Sequence, residues 1–318
     1  MKKNLVILLV ISVAIISCNK ENNNTNPEWT LFKYEDGFIK ENLFCLYSDN
    51  NGKVYVGQEG GMTVIENGKL TNIVNEDLRV VDIYIDEQDR IWAADDLSLL
   101  RIFENQEWII PNDDLDYISQ IIKSHDNTFW FAPNSYSELV KYDGSEVKRI
   151  HIPDSIDPSG GTRVWCIEED HNGVIWVGTS YALYSYDGTD WKIYDFLPDE
   201  YSERIDCVFE DNLGRLWVGV HYKNVMRFDG SNWEIIEELP STHLADMCQS
   251  TNGDLWFGFK YGGDLWRYDG TNYIPYEEDF IIGRYITDIC QSSDGSMWFI
   301  GPSKNPNGEG LARLTNWE

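Results

Sequence analysis

The chain has 318 residues and a formal net charge of −29, with 54 Asp and Glu against 25 Lys and Arg. Such a surface repels nucleic acid and anionic lipid headgroups, and no basic stripe offsets it, so nucleic-acid binding is excluded. Beyond that, acidity implies solubility and little else.

The first residues read as an address. Lys2 and Lys3, an apolar run from Leu5 to Ile16, and Ser17-Cys18 form a secretory signal of the lipoprotein kind over residues 1–17. The apolar run is too short to span a bilayer comfortably. Residues 18–27, rich in Asn, have nothing to bury and read as a flexible tether. The start resembles that of bacterial lipoproteins, which implies that Cys18 becomes the lipidated first residue. Asn19 is not the aspartate associated with inner-membrane retention, and Lys20-Glu21 resembles the surface-export signal of Bacteroidetes lipoproteins. The expectation is an outer membrane lipoprotein, on the periplasmic or cell-surface side, that meets the membrane only through its lipid.

From residue 28 onward one phrase returns seven times, with its register aromatic at Tyr55, Trp92, Trp130, Trp176, Trp217, Trp256 and Trp298. A repeat of about 40 residues built of strands and turns predicts a β-propeller with one four-stranded antiparallel blade per copy. In the fourth copy, residues 164–169 form the inner strand and Asp170-His-Asn-Gly173 a tight turn. Residues 174–179 return, residues 183–186 follow, Asp187-Gly188 turns again, and residues 191–194 form the outer strand. β-Branched and aromatic residues between the turns suit a pleated surface packed on its neighbours, and the tryptophans read as wedges between blades. The seventh copy stops where an outer strand should begin. Residues 29–34 resemble that missing strand, so the N-terminal segment is expected to close the ring and leave no open edge. The expected domain is a seven-bladed propeller over residues 28–318.

Five cysteines follow Cys18. Cys45, Cys166, Cys207, Cys248 and Cys290 all lie on inner strands, where small buried residues fill a crowded ring. Disulfides joining Cys166 to Cys207 or Cys248 to Cys290 remain open in an exported protein. The spacings match no metal motif, and neither a metal nor a cofactor is expected.

The residues Ile167 to Asp170, Gly173, Ile175 to Thr179 and Leu183 to Gly188 resemble the two-component regulator propeller repeat. So do Val208 to Asp211, Gly214 and Leu216 to Gly219. In that family such repeats form the extracytoplasmic sensors of hybrid histidine kinases, typically with carbohydrate ligands. No transmembrane helix, kinase or receiver segment is legible, so the resemblance implies the fold and a recognition role, not signalling catalysis. Streptogramin lyases share a related phrase, seen here at Asp254 to Phe257, but no counterpart of their His/Glu catalytic set is found.

The residue before each inner strand and the residues after each second strand reach one face. The first set contains Asn42, Arg79, Tyr117, Arg163, Arg204, His243 and Tyr285; the second contains Tyr136, Tyr181, Tyr222 and Tyr261, with His221 and Lys260 beside two of them. Arg can grip a carboxylate or sulfate by forked hydrogen bonds, and Tyr can stack on a sugar ring. The loop of residues 150–163, with Pro153, Pro158 and Gly160-Gly161, lies on the same face. Asp82, Asp246 and Asp288 hold equivalent inner-strand positions and could act as an acid/base set or a cation site. The histidines show no paired-ligand spacing. The reading is a monomeric, non-catalytic propeller that recognises a glycan or a protein partner at the Arg/Tyr face. The alternatives are a streptogramin-lyase-like enzyme and a scaffold for a surface complex.

Overall fold

The computed structural model describes residues 27–134, 137–153, 162–194, 204–262, 265–276, 285–301 and 309–317. Among these residues the β-sheets number six, five of four strands and one of six. This corrects the expected seven four-stranded blades: counted by hydrogen-bonded sheets, the ring has six blades. One of them is of greater width and holds the first two of the seven sequence copies. The cause is the strand Lys69–Ile85, which runs unbroken for 17 residues. Its first part pairs with Val54–Glu66 and its second with Ile91–Asp95. No Gly or Pro interrupts residues 69–85, whereas Pro111, Pro153 and Pro240 punctuate equivalent connections and end their strands.

The sequence of each copy dictates its corner. In the fourth, the Asp170 carboxylate accepts from the backbone N–H groups of Asn172 (2.9 Å) and Val174 (3.0 Å) with one oxygen. Its other oxygen accepts from Trp176 Nε1 at 2.9 Å. One side chain therefore fixes both the turn and the register tryptophan. Asp86 with Trp92 and Asp211 with Trp217 repeat the clamp at 2.8 Å each. In the seventh copy Ser292 Oγ replaces the carboxylate. Trp130 and Trp256, whose copies carry Ser124 and Ser250 there, leave Nε1 buried without a partner.

The core lies between sheets. Ile167, Val177 and Tyr184 of one blade pack with Trp130 and Ala132 of the preceding blade. Trp176 packs on Tyr194 of its own sheet (ring centroids 5.0 Å) and Phe228 of the next (6.4 Å). Each fully buried large apolar side chain contributes about 1.5–3 kcal/mol, so this wedge row is the main stabiliser of the ring. Gly178, in the Trp-Val-Gly phrase, lies where a Cβ would strike Cys166 Sγ and Ile205 of the next inner strand. The motif glycine is thus a requirement of close blade approach.

Ring closure is as expected. Residues Glu28–Lys33 pair antiparallel with Glu309–Thr315, with Trp29 opposite Leu314. Trp29 packs against Phe299 (5.6 Å) and Tyr276 (6.4 Å). Residues 1–26, including the signal, Cys18 and most of the tether, lie outside the described residues.

Around the axis, inner strands are stitched to their neighbours. Asp82 accepts from Ile121 N (2.7 Å), Gln120 from Ile167 N (2.8 Å), Asp246 from Ile289 N (2.8 Å) and Asp288 from Leu46 N (2.7 Å). The Cys45 and Cys166 thiols face the carbonyls of Val80 and Ile205 at 3.8 and 3.9 Å. All five described cysteines are free thiols, raised in pKa by burial, so neither candidate disulfide is formed. Asp82, Asp246 and Asp288, which could have served as an acid/base or cation set, each accept from a backbone N–H of another blade and so join blades. Burial pushes the Asp82 carboxyl up to about 7. It also raises Asp246 and Asp288, and the Asp246 charge raises Asp288 further.

Candidate ligand-binding site

Blade geometry brings most of the expected face residues of copies four to seven into one sector. Arg163 and Arg204 precede the inner strands Val164–Glu169 and Ile205–Glu210. Their carbonyls accept from Ser180 N (3.0 Å) and His221 N (2.8 Å), which fixes each against the returning strand of its own blade. Both guanidinium groups lie over the ring of Trp165, Arg163 at 4.1 Å and Arg204 at 3.4 Å from its centroid. Trp165 Nε1 donates to Ser180 Oγ at 3.1 Å, which holds the indole in place. Two like charges on one indole repel each other. Such a pair gains most when an anion neutralises it. Among the described residues Arg163 has no carboxylate partner, and its Nε is buried without a hydrogen bond.

Arg204 is partly neutralised. Its Nε lies 2.6 Å from Asp206 Oδ1, without the alignment of a hydrogen bond. Asp206 Oδ2 faces His221 Nδ1 at 2.6 Å and His243 Nε2 at 3.5 Å. Burial raises the Asp206 pKa; the His221 hydrogen bond and the Arg204 charge oppose that rise. His243 is pushed down to about 3 by burial, then by the charges of Lys260, Arg204 and His221, so its ring is neutral at pH 7. Lys260, opposite His243 in the strand register, is lowered by burial and lifted back in part by Asp206. The cluster thus carries one carboxylate under Arg204 and Lys260, an excess of positive charge on a strongly negative protein.

An aromatic row adjoins it. His221 and Tyr222 rings lie 4.3 Å apart, Tyr222 and Tyr261 6.0 Å, His243 and Tyr261 6.1 Å, and Tyr261 and Tyr285 5.3 Å. Tyr222 and Tyr261 have φ of 51° and 62°, the left-handed region that bulky side chains enter only at a cost. The two residues are 58% and 53% exposed, so that cost does not go into core packing. A left-handed backbone at the blade corner turns these rings out to solvent.

The other expected residues fall elsewhere. Arg79 is ion-paired with Asp96 at 3.1 Å and lies over Phe44. Tyr117 shares the left-handed backbone (φ 53°) and is half exposed. Tyr181 follows the strand Ile175–Thr179, beside Ser180 and close in sequence to the Trp165 anchor. Among the described residues no hydrogen bond joins Asn42, just before the strand Leu43–Ser48, to the Arg/Tyr cluster. Tyr136, Pro158 and Gly160-Gly161 lie outside the described residues. Sequence reasoning missed Trp165 as the shared platform. Its signal was a large aromatic at a position that the first copy fills with Phe44 but the others with Val81, Ser119, Asp206, Ala245 or Thr287.

Fold and face together define a β-propeller with a cationic, aromatic mouth. The chain carries the two component regulator propeller repeat, matched over residues 158–181; the resemblance legible in the phrase is borne out. Among solved structures the chain is similar to the extracellular domain of the one component system BT4673 from B. thetaiotaomicron, at 15% identity and a TM-score of 0.74, covering 92% of this chain and 40% of that one. It is also similar to the extracellular domain of the hybrid two component system BT3049 from the same organism, at 17% identity and a TM-score of 0.73, covering 91% and 41%. A third similar structure is virginiamycin B lyase from Staphylococcus aureus, at 14% identity and a TM-score of 0.69, covering 91% and 99%. The chain spans about two fifths of the length of the first two. At these identities the likeness shows the fold. No curated protein matches the chain. Among the described residues no helix is long and apolar enough to cross a membrane.

Proposed function

We propose that this chain is a lipid-anchored, non-catalytic recognition propeller that binds an acidic saccharide at the Arg163–Arg204 sector. The observation that carries this reading is the pair of guanidinium groups on Trp165, one without a carboxylate partner among the described residues, beside the exposed Tyr222 and Tyr261 and the half-buried Tyr285. Arg163 and Arg204 would grip the carboxylate or sulfate, and Tyr222 or Tyr261 would stack on the sugar ring. The carbohydrate ligands typical of the repeat family support the same class. A protein partner remains the second reading, since Tyr and Arg also anchor protein interfaces.

The test is titration of the full chain with acidic and neutral oligosaccharides. Loss of one charged hydrogen bond costs about 1.5–3 kcal/mol, so Arg163→Ala should weaken acidic-saccharide binding about ten-fold or more. Lys at that position should recover little, because it lacks the fork. The anchor is tested separately: Cys18→Ser should leave the propeller folded yet release it from membranes, because lipid supplies the attachment. Unchanged membrane association of that variant would refute the anchor.

A further inference from the structure

Asp206, His221 and His243 lie far apart in the chain and play three different parts in the fold. Asp206 is on an inner strand, His221 follows the returning strand of the same blade, and His243 opens the inner strand of the next. Blade packing nonetheless places one donor atom of each within 4.8 Å of the other two. We propose that these three side chains form a binding site for a first-row transition-metal ion, bridging two adjacent blades. This does not rest on the saccharide reading.

The geometry is close to what such an ion needs. Ligands about 2.0–2.1 Å from a tetrahedral metal lie roughly 3.3 Å from one another. The Asp206 Oδ2 to His243 Nε2 separation is already 3.5 Å. The Asp206 Oδ2 to His221 Nδ1 contact, at 2.6 Å, must open by less than about 1 Å. Arg204 lies against the other carboxylate oxygen, Oδ1, and so orients the ligand from outside, as second partners of metal ligands do. His243 is buried, with Nδ1 unpartnered, so Nε2 is its single polar engagement and faces the cluster. Two imidazoles and one carboxylate favour Zn²⁺, Ni²⁺, Co²⁺ or Cu²⁺ over Ca²⁺ and Mg²⁺. Arg204 and Lys260 oppose the ion by charge, which places the expected affinity in the micromolar range and gives the proposal its sharpest test.

The experiment titrates the full, chelator-treated chain with Zn²⁺ alone by calorimetry, and with Co²⁺ alone by visible absorption. The expected result is one equivalent bound, with a tetrahedral cobalt spectrum. His243→Ala and His221→Ala should each weaken binding about a hundred-fold, and Lys260→Gln should tighten it several-fold. A purely structural hydrogen-bond cluster would not respond to Lys260→Gln in that direction. Circular dichroism checks that each variant is folded. Should a histidine variant fail to fold, the wild-type stoichiometry and the Lys260→Gln shift still decide the matter. No saturable binding to the folded wild type up to about 1 mM Zn²⁺, or equal binding by folded histidine variants, overturns the site.

Discussion

Arg79 and Arg204 stand at the same point of the repeat, just before an inner strand, yet they belong to different regions. Arg79 meets Asp96 at 3.1 Å, and its charge is cancelled locally. Arg204 shares Asp206 with two histidines and shares Trp165 with Arg163. A half-buried ion pair such as Arg79–Asp96 is satisfied within its own blade and offers little further to a ligand. Two guanidinium groups stacked on one indole, with Lys260 nearby, keep unspent charge. A repeat position therefore fixes where a side chain emerges, while the neighbouring blade fixes what it can do.

The largest effect separates the two regions directly. Replacing Arg163 and Arg204 together with Ala should weaken acidic-saccharide binding about a hundred-fold, from two charged hydrogen bonds of about 1.5 kcal/mol each. Arg79→Ala should change it less than about two-fold. Comparable losses from both would erase the distinction.

At the opposite end of the strands, the Trp–Asp clamp offers a second contrast. Trp217→Phe removes a 2.8 Å hydrogen bond to buried Asp211, whereas Trp256→Phe removes a donor that has no partner. Chemical denaturation should show Trp217→Phe to be the more destabilising by about 1 kcal/mol or more. The reverse order would mean that the clamp does not hold the corner.

pH sharpens the comparison further. His243 has a folded pKa of about 3, below its unfolded value, so the unfolded chain binds the extra proton. Its contribution is present above the unfolded pKa and is lost as pH falls from about 6.5 toward 3. Between pH 7 and 5 the wild type should lose stability relative to His243→Gln. The loss should be at most about 1 kcal/mol per pH unit, below the full linkage slope because the site reaches solvent. A parallel pH dependence in the two proteins would contradict a neutral His243. Asp96→Asn should have the smallest effect, shifting stability by about 1 kcal/mol or less while binding stays put.

Much of the frame was legible in the sequence. The repeat period, the turn Asp-Gly pairs, the wedge tryptophans and the closing strand all follow from local pattern, because a blade is built from consecutive residues. The blade count was not, because the continuity of Lys69–Ile85 depends on the absence of a breaker in one connection. Neither was the role of Asp82, Asp246 and Asp288, whose partners are backbone groups of the next blade. The face positions of His221 and His243 and the odd aromatic at Trp165 were legible, but their pairing with Asp206 and with the two arginines was not, because a neighbouring blade alone brings those residues together. The spacing of a single copy carries no record of that contact.

The central claim is that the Arg163–Arg204 sector is where this propeller takes its ligand. An array of acidic and neutral glycans, probed with the wild-type chain and then with Arg163→Ala and Tyr222→Ala, tests it most directly. The account predicts binding to acidic members by the wild type and about ten-fold or greater weakening by Arg163→Ala. Absence of acidic-glycan binding, or equal binding by wild type and both variants, would contradict it and make a protein partner the leading reading.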